Sequence, residues 1–579
     1  MSSSDPNQAT ARPKERALNA DPPPMSNSRP KTPTPRRVLL LGTVIYASAA
    51  LFWSARSIGA FSSRLDDSLI ENGDGTLQNS IPNLLAAVPT TERDSTELRD
   101  FPSGETSRRN LKCVGWRATS DCSPNGPREP ENDQNCTQNI SKGLSGYCEV
   151  EDGDTGERFR VMRKHCNSLK YHVSFQCEKA HEFVNFRVEA HNKAQEALKP
   201  GFTLPNVDES KETPRDGIVM VVYPKLLASA YATIRMLRDV LHCQLPIEIW
   251  FRRDEVKHDI KMMDPLRHLA STYANIMFQK ITDPQAKRFV AKIHAIYHSK
   301  FDRLLFLDAD NVPVRDPSYL FESPEFVKTG TIFWPDFWHP DYTIFGIHEN
   351  TMLWELLDMP FVDMFEQESG QLMVDRRRHA APLELVKFYA LHRPDFFTSL
   401  RLVWGDKDLF RLAWLKLEVP FTMIQTPPGM AGTIYDTLLR SDFCGMTMVQ
   451  HDPEGEILFM HRNQHKLTGR FTDDAGDASL QGKAVEAVDV EAASVERYAD
   501  PAIWTHVMRF HKGSARRKYA IQMFRVDLDF EANQKCFGRQ DVYRNPNFYI
   551  QEIAALNISG LETHLRRFAL ESTQQSTDE

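Results

Sequence analysis

An excess of basic charge is missing from this chain: 70 Lys and Arg stand against 78 Asp and Glu, a formal net charge of −8. That balance gives no overall drive toward nucleic acid, and none is expected as a partner. Long apolar runs are missing too, with one exception, and a mean hydropathy of −0.46 excludes a multi-span membrane protein. Cysteine is scarce, nine in 579 residues, and no C-x-x-C pair occurs. No internal repeat is visible. The chain does have 41% apolar residues, enough to bury a core and to exclude wholesale disorder.

The one apolar run is VLLLGTVIYASAALFWSA, Val38 to Ala55, uncharged and closed by Arg56. At 1.5 Å per residue it reaches roughly 27 Å, the thickness of a bilayer core. Residues 1–37 before it are polar, proline-rich and basic, and read as a disordered tail. Positive charge on that side predicts a cytosolic N-terminus and a lumenal body anchored by a single helix over 38–55. A cleaved signal peptide or a buried helix are the alternatives, but the polar lead is long for a signal peptide.

Residues 56–110 are rich in Ser, Thr, Asp and Gly and read as a stem. Six of the nine cysteines follow, Cys113, Cys122, Cys136, Cys148, Cys166 and Cys177. Residues 111–180 therefore read as a disulfide module of an oxidising compartment, with about fifteen pairings open and zinc as the rival. Cys444 and Cys536 could pair, leaving Cys243 as a buried thiol. Asn135, Asn139 and Asn557 begin glycosylation sequons.

From residue 217 strands and helices alternate. GIVMVVY, PIEIWF, ANIMF and RLLFL are short apolar runs, and helical spacing links the first to the second and the third to the fourth. This rhythm predicts a doubly wound α/β sheet, in which ligands bind beyond the carboxyl ends of the strands. Asp308 and Asp310 stand at that point. Two carboxylates one residue apart at a strand end can converge on a hard divalent cation and neutralise a diphosphate leaving group. A turn at the sheet edge would use the same residues. So would a phosphatase of the haloacid-dehalogenase type, with Asp308 as nucleophile and Trp404 to Asp408 as a later metal motif.

Other segments carry candidates. His461 follows a short apolar strand, and imidazole suits Mn²⁺. Lys466 and Lys292 could meet phosphate as point charges. Glu368-Ser369-Gly370-Gln371 precedes a short strand, and Gly370 would let a ligand approach the backbone. Trp404-Gly405-Asp406-Lys407-Asp408 opens a helix, where acidic residues either cap it or hold sugar hydroxyls. The aromatic patch from Phe333 to Trp338 reads as core or as a stacking face.

Five ordered blocks, LLFLDADNVPVRDPSYLF, TGTIFWPDFW, ESGQLMVDRRRH, WGDKDLFRLAW and MVQHDPEGEILFMHR, resemble the fungal α-1,2/α-1,3-mannosyltransferases of glycosyltransferase family 71. The resemblance covers about residues 215–470. It implies a GT-A nucleotide-diphospho-sugar transferase domain, a type II Golgi membrane protein, GDP-mannose as donor, a glycan or glycoprotein acceptor, and Mn²⁺ or Mg²⁺. By that resemblance Asp308 and Asp310 hold metal and nucleotide, and His461 is the third metal ligand. Gly370, Gln371, Asp406 and Asp408 line donor sugar and acceptor, and Lys292 and Lys466 face the phosphates; Trp404 is a further substrate-binding candidate, and Asp308, Asp310, Glu368, Asp406 and Asp408 are the catalytic candidates. The product would be α-linked and the reaction retaining; a double displacement would take Glu368 or Asp406 as nucleophile. Tyr223-Pro224-Lys225 departs from the family's glycine-bearing first loop, and the cysteine module lies outside the pattern. Residues 471–495 read as a linker or surface loop and 496–570 as a helical extension.

Overall fold

A computed structural model of the protein describes residues 98–256, 260–471 and 498–574. The apolar run 38–55 and most of the linker 471–495 lie outside these. No helix among the described residues is long and apolar enough to cross a membrane.

The cysteine module is built on strands β1 (Leu98–Asp100), β2 (Leu111–Ala118), β4 (Gly146–Asp152) and β5 (Arg158–Lys164), with a two-strand clip of β3 (Ile140–Ser141) and β6 (Ser174–Phe175). Disulfides join Cys113 to Cys136, Cys122 to Cys166 and Cys148 to Cys177. All six cysteines are consumed, which removes the zinc alternative. Leu98–Asp100 pairs in parallel with β5, so the last part of the expected stem belongs to this sheet. The helix Ala180–Ala197 then leaves the module and lays Phe186 against Phe388 and Tyr389 of the helix Ala380–Leu391.

The central sheet contains β7 (Asp216–Val221), β8 (Ile247–Arg252), β9 (Ile276–Ile281) and β10 (Arg303–Leu307), all mutually parallel. After β11 (Asn311–Pro313), which belongs elsewhere, come β12 (Thr331–Pro335), β13 (Gln367–Asp375) and β14 (Thr422–Met423). The order is β14-β12-β13-β10-β7-β8-β9, and β13 runs antiparallel to β10. Side chains alternate across a strand, so the apolar runs feed two cores. Val219, Val221, Leu304 and Phe306 face the helix Phe289–His298 and the cysteine module. Ile218, Met220, Leu305 and Leu307 face the helix Leu227–Arg235 and a second sheet.

That second sheet joins β11 to β15 (Gly429–Asp436), β16 (Ser441–His451), β17 (Ile457–His461), β18 (His506–Phe510), β19 (Gln522–Leu528), β20 (Glu531–Arg539) and β21 (Phe548–Glu552). The expected helical extension over 496–570 instead carries four strands, with α-helix among its described residues only at Leu561–Gln574. Cys444 of β16 and Cys536 of β20 form a disulfide across this sheet, and Cys243 is buried and free.

Asp302 pins the start of β10 to the start of β7. Its enclosed carboxylate accepts from the Arg215 backbone N at 2.9 Å, from the Arg215 guanidinium at 2.9 and 3.0 Å, and from Arg377 at 3.0 Å. Burial pushes this carboxyl up, but the Arg215 hydrogen bonds outweigh it and hold the group well below its usual range. A depressed folded-state value stabilises the fold fully above the unfolded value and loses that stabilisation as pH falls. Asp302→Asn is therefore expected to lower the urea midpoint at pH 7, with the gap to wild type closing below about pH 4. A gap of constant size from pH 7 to pH 3 would sink this account.

Candidate metal and donor site

Asp308 is the first residue beyond β10. Its backbone N donates to the Gly370 carbonyl at 2.8 Å, extending the ladder with β13. A turn closed by Asn311 N to Asp308 O at 3.0 Å brings out Asp310. The chain then crosses to the second sheet, where β11 pairs with β17 and sets Asn311 opposite His461. Arg462 N donates to the Asp310 carbonyl at 3.0 Å. Backbone register alone thus carries His461 to the aspartates. One ligand atom each from Asp308, Asp310 and His461 lie within 4.8 Å of one another, which among the described residues is the grouping able to hold a metal ion.

The surroundings fit such an ion. His461 turns Nε2 toward Asp310 at 3.4 Å and Nδ1 toward Glu368 at 3.5 Å. A carboxylate behind the imidazole orients a metal-ligating histidine. Burial raises the Glu368 carboxyl, but His461, Lys292 and Lys407 outweigh it and bring it down to about 2. His461 is held above its ordinary value, because Glu368 outweighs the downward effect of burial. Two hard oxygens and one imidazole nitrogen suit Mn²⁺ or Mg²⁺ more than a thiophilic metal.

Two lysines attend the aspartates. Lys466 pairs with Asp310. Lys292, buried on the helix before β10, sits 3.2 Å from Asp308, 3.5 Å from Asp406 and 2.8 Å from the Ser369 carbonyl. Burial would lower its ammonium, but Asp308, Asp406 and Glu368 keep it well above the usual value. Asp406 accepts from Ser369 Oγ at 3.2 Å, and burial pushes its carboxyl up to about 6 against the pull of Lys292.

Other sequence candidates sit differently from expectation. Gly370 makes room for His461 rather than for a ligand: a Cβ there would lie 2.5 Å from His461 Nδ1. Gln371 is fully enclosed, and its Oε1 accepts from Asn311 Nδ2 at 2.6 Å. Asp408 is also enclosed and accepts from Arg411 at 2.6 Å and from Gln367 N at 3.0 Å. Neither side chain reaches a sugar from there. Glu368 has one oxygen taken by Gly370 N at 2.7 Å and stands behind His461. Trp404 is exposed, whereas Phe333, Trp334, Phe337 and Trp338 are core. Asn135, Asn139 and Asn557 are all exposed.

Sequence reasoning missed Asn311 and Ser369. Asn311 ties the turn to Gly370 O at 2.9 Å and to Gln371. An Asn directly after the D-x-D was the available signal.

A family model described as "Mannosyltransferase putative" matches residues 215–452, which contain both aspartates, Glu368 and Asp406. The α-1,2-mannosyltransferase MNN5 of Saccharomyces cerevisiae is 26% identical over 363 residues, 53% of this chain and 61% of that protein. The α-1,2-mannosyltransferase MNN24 of Candida albicans is 28% identical over 277 residues, 41% of this chain and 38% of that protein. The chain thus spans about three fifths or less of the curated relatives' own length. Among solved structures, the mannosyltransferase Ktr4p of S. cerevisiae matches 40% of this chain and 75% of that one at 13% identity and a TM-score of 0.25, too low to carry an argument. Over residues 215–452 the chain matches this mannosyltransferase model, and it is similar there to fungal α-1,2-mannosyltransferases.

Proposed function

We propose that the chain is a retaining α-mannosyltransferase of GT-A architecture, moving mannose from GDP-mannose to a hydroxyl of a glycan or glycoprotein acceptor as an α-1,2 or α-1,3 linkage. The carrying observation is the convergence of Asp308, Asp310 and His461 at the carboxyl end of β10. Four disulfides support an oxidising lumen, and with the 38–55 run they favour a Golgi membrane protein of type II.

Asp308, Asp310 and His461 would hold a divalent cation, and such an ion would neutralise charge on a departing diphosphate. Lys292 and Lys466 add fixed positive charge at the same edge. Retention follows from an acceptor hydroxyl attacking the anomeric carbon on the face the diphosphate leaves, with a diphosphate oxygen taking its proton. A double displacement would instead use Glu368, whose Oε1 takes Gly370 N and faces His461, or Asp406, whose Oδ2 takes Ser369 Oγ and faces Lys292. The same geometry weighs against the phosphatase. Its second metal motif would need Asp408, which is fully buried and does not join the grouping of Asp308, Asp310 and His461.

The test is release of nucleoside diphosphate from a panel of nucleotide sugars with Mn²⁺. Selective turnover of GDP-mannose, lost with EDTA, is expected. Preference for a UDP-sugar would replace the donor. Release of phosphate from simple esters without turnover of any nucleotide sugar would overturn the reading.

A further inference from the structure

Eight of the nine tryptophans lie among the described residues, and seven of these are at most 7% exposed. Trp404 is 60% exposed. A large amphipathic ring left open to water has lost the burial that normally holds it, and such rings concentrate at binding surfaces. Its place sharpens the point. Trp404 is two residues before Asp406, whose carboxylate lies 3.5 Å from Lys292. Gly405 between them has φ +63°, and a Cβ there would lie 3.0 Å from the ring of Phe289, so the turn that presents the indole is packed from beneath.

The indole does not stand alone. It stacks on Phe345 with centroids 5.6 Å apart and planes 25° from parallel. Phe345 belongs to the segment after β12, and the cysteine module holds that segment. Lys170, four residues beyond the disulfide-bonded Cys166, places its ammonium 5.2 Å from the Phe345 ring and donates to the Ile344 carbonyl. Gly346, at φ +81°, would carry a Cβ 3.2 Å from Lys170 Cε, so the lysine stem lies flat on the loop. The stack therefore runs from the module, through Lys170 and Phe345, to Trp404.

We propose that Trp404 is the acceptor platform, on which a mannose-type pyranose lays its C–H face, and that the cysteine module sets acceptor choice through Lys170 and Phe345. The identity of the sugar and its role as acceptor rest on the mannosyltransferase reading. Lys170 touches no donor residue and is a positioning residue. The family match begins at residue 215, so this determinant lies outside it.

Two measurements on the full chain test this, with α-1,2-mannobiose as probe. The first is acrylamide quenching of tryptophan emission. Mannobiose is expected to protect the accessible fraction in wild type, and Trp404→Phe is expected to abolish the protected signal. The second is steady-state transfer from GDP-mannose. Lys170→Ala is expected to raise the mannobiose KM about three- to tenfold, the value of an aromatic contact of about 1 kcal/mol, while GDP-mannose hydrolysis without acceptor stays within about twofold. Trp404→Ala should raise that KM further than Trp404→Phe, which keeps a ring. Turnover of GDP-mannose without protection by mannobiose, or a Lys170→Ala enzyme with unchanged acceptor KM, would overturn the platform and leave the mannosyltransferase standing. Protection by mannobiose without turnover of GDP-mannose would do the reverse.

Discussion

Asp310→Asn is expected to cut Mn²⁺-dependent GDP release from GDP-mannose by about 10³-fold, with the fold retained. The substitution keeps the shape of the side chain and removes its charge. The backbone at this position is fixed independently, since the Asp310 carbonyl accepts from Arg462 N. The partner left behind, Lys466, has a side chain 36% exposed and can turn its ammonium to water, so little stability is lost. Glu368→Gln should act less strongly, by about 10- to 100-fold, because it loosens the orientation of His461 without removing a ligand. Turnover by Asp310→Asn within about tenfold of wild type would remove the metal from the account. Loss of activity together with loss of cooperative unfolding would show that Asp310 had been structural.

The largest stability effect is expected at Lys407. Its buried ammonium lies 2.6 Å from Asp336, 2.7 Å from Glu366 and 3.5 Å from Asp408. Burial drives the Asp336 carboxyl up to about 7 even with Lys407 beside it. Lys407→Met would leave Asp336 and Glu366 buried without their cation, a loss of about 3–5 kcal/mol. Denaturant midpoints read this directly, and Lys407→Met with Asp336→Asn should recover part of the deficit, because one of the two carboxyls left without a cation is replaced by a neutral amide. A Lys407→Met protein within about 1 kcal/mol of wild type would show that the carboxylates find other partners or protons at no cost.

How much of this was legible depends on where the information lies. The parallel strands β7, β8 and β10 were readable because a strand buried on both faces must be apolar throughout. The metal cluster was readable because its aspartates end one such strand and its histidine ends another. The C-terminal strands were not. QMFRVDL and EANQKCFGR lie at the margin of the second sheet, alternate only weakly, and carry no periodic signal. Three-residue strands such as LRD have no period at all. Disulfide partners depend on the fold that brings them together, not on spacing. Lys407 reads as an ordinary first-turn residue of a helix, and only the distant Asp336 and Glu366 reveal its task. Gln371 and Asp408 stand beside candidate site residues in sequence, but both are fully buried, Gln371 against Asn311 and Asp408 against Arg411.

His461 reaches the aspartates because β17 pairs with β11 and β16 in one register, with Met448 opposite His461 and a shift already absorbed between Gln450 and His451. In a strand, a slip of one residue sends every side chain to the other face. The connection between β16 and β17, closed by Gly455 N to the Asp452 carbonyl and Asp452 N to the Glu456 carbonyl, is what counts the residues out. A single insertion or deletion between 452 and 456 would present Met460 or Arg462 where the imidazole belongs. Such a sequence would keep both aspartates, both lysines and the histidine, score as intact by every motif, and be as silent as one that had lost His461 outright. In this chain, the length of that turn matters to the candidate site as much as the D-x-D itself.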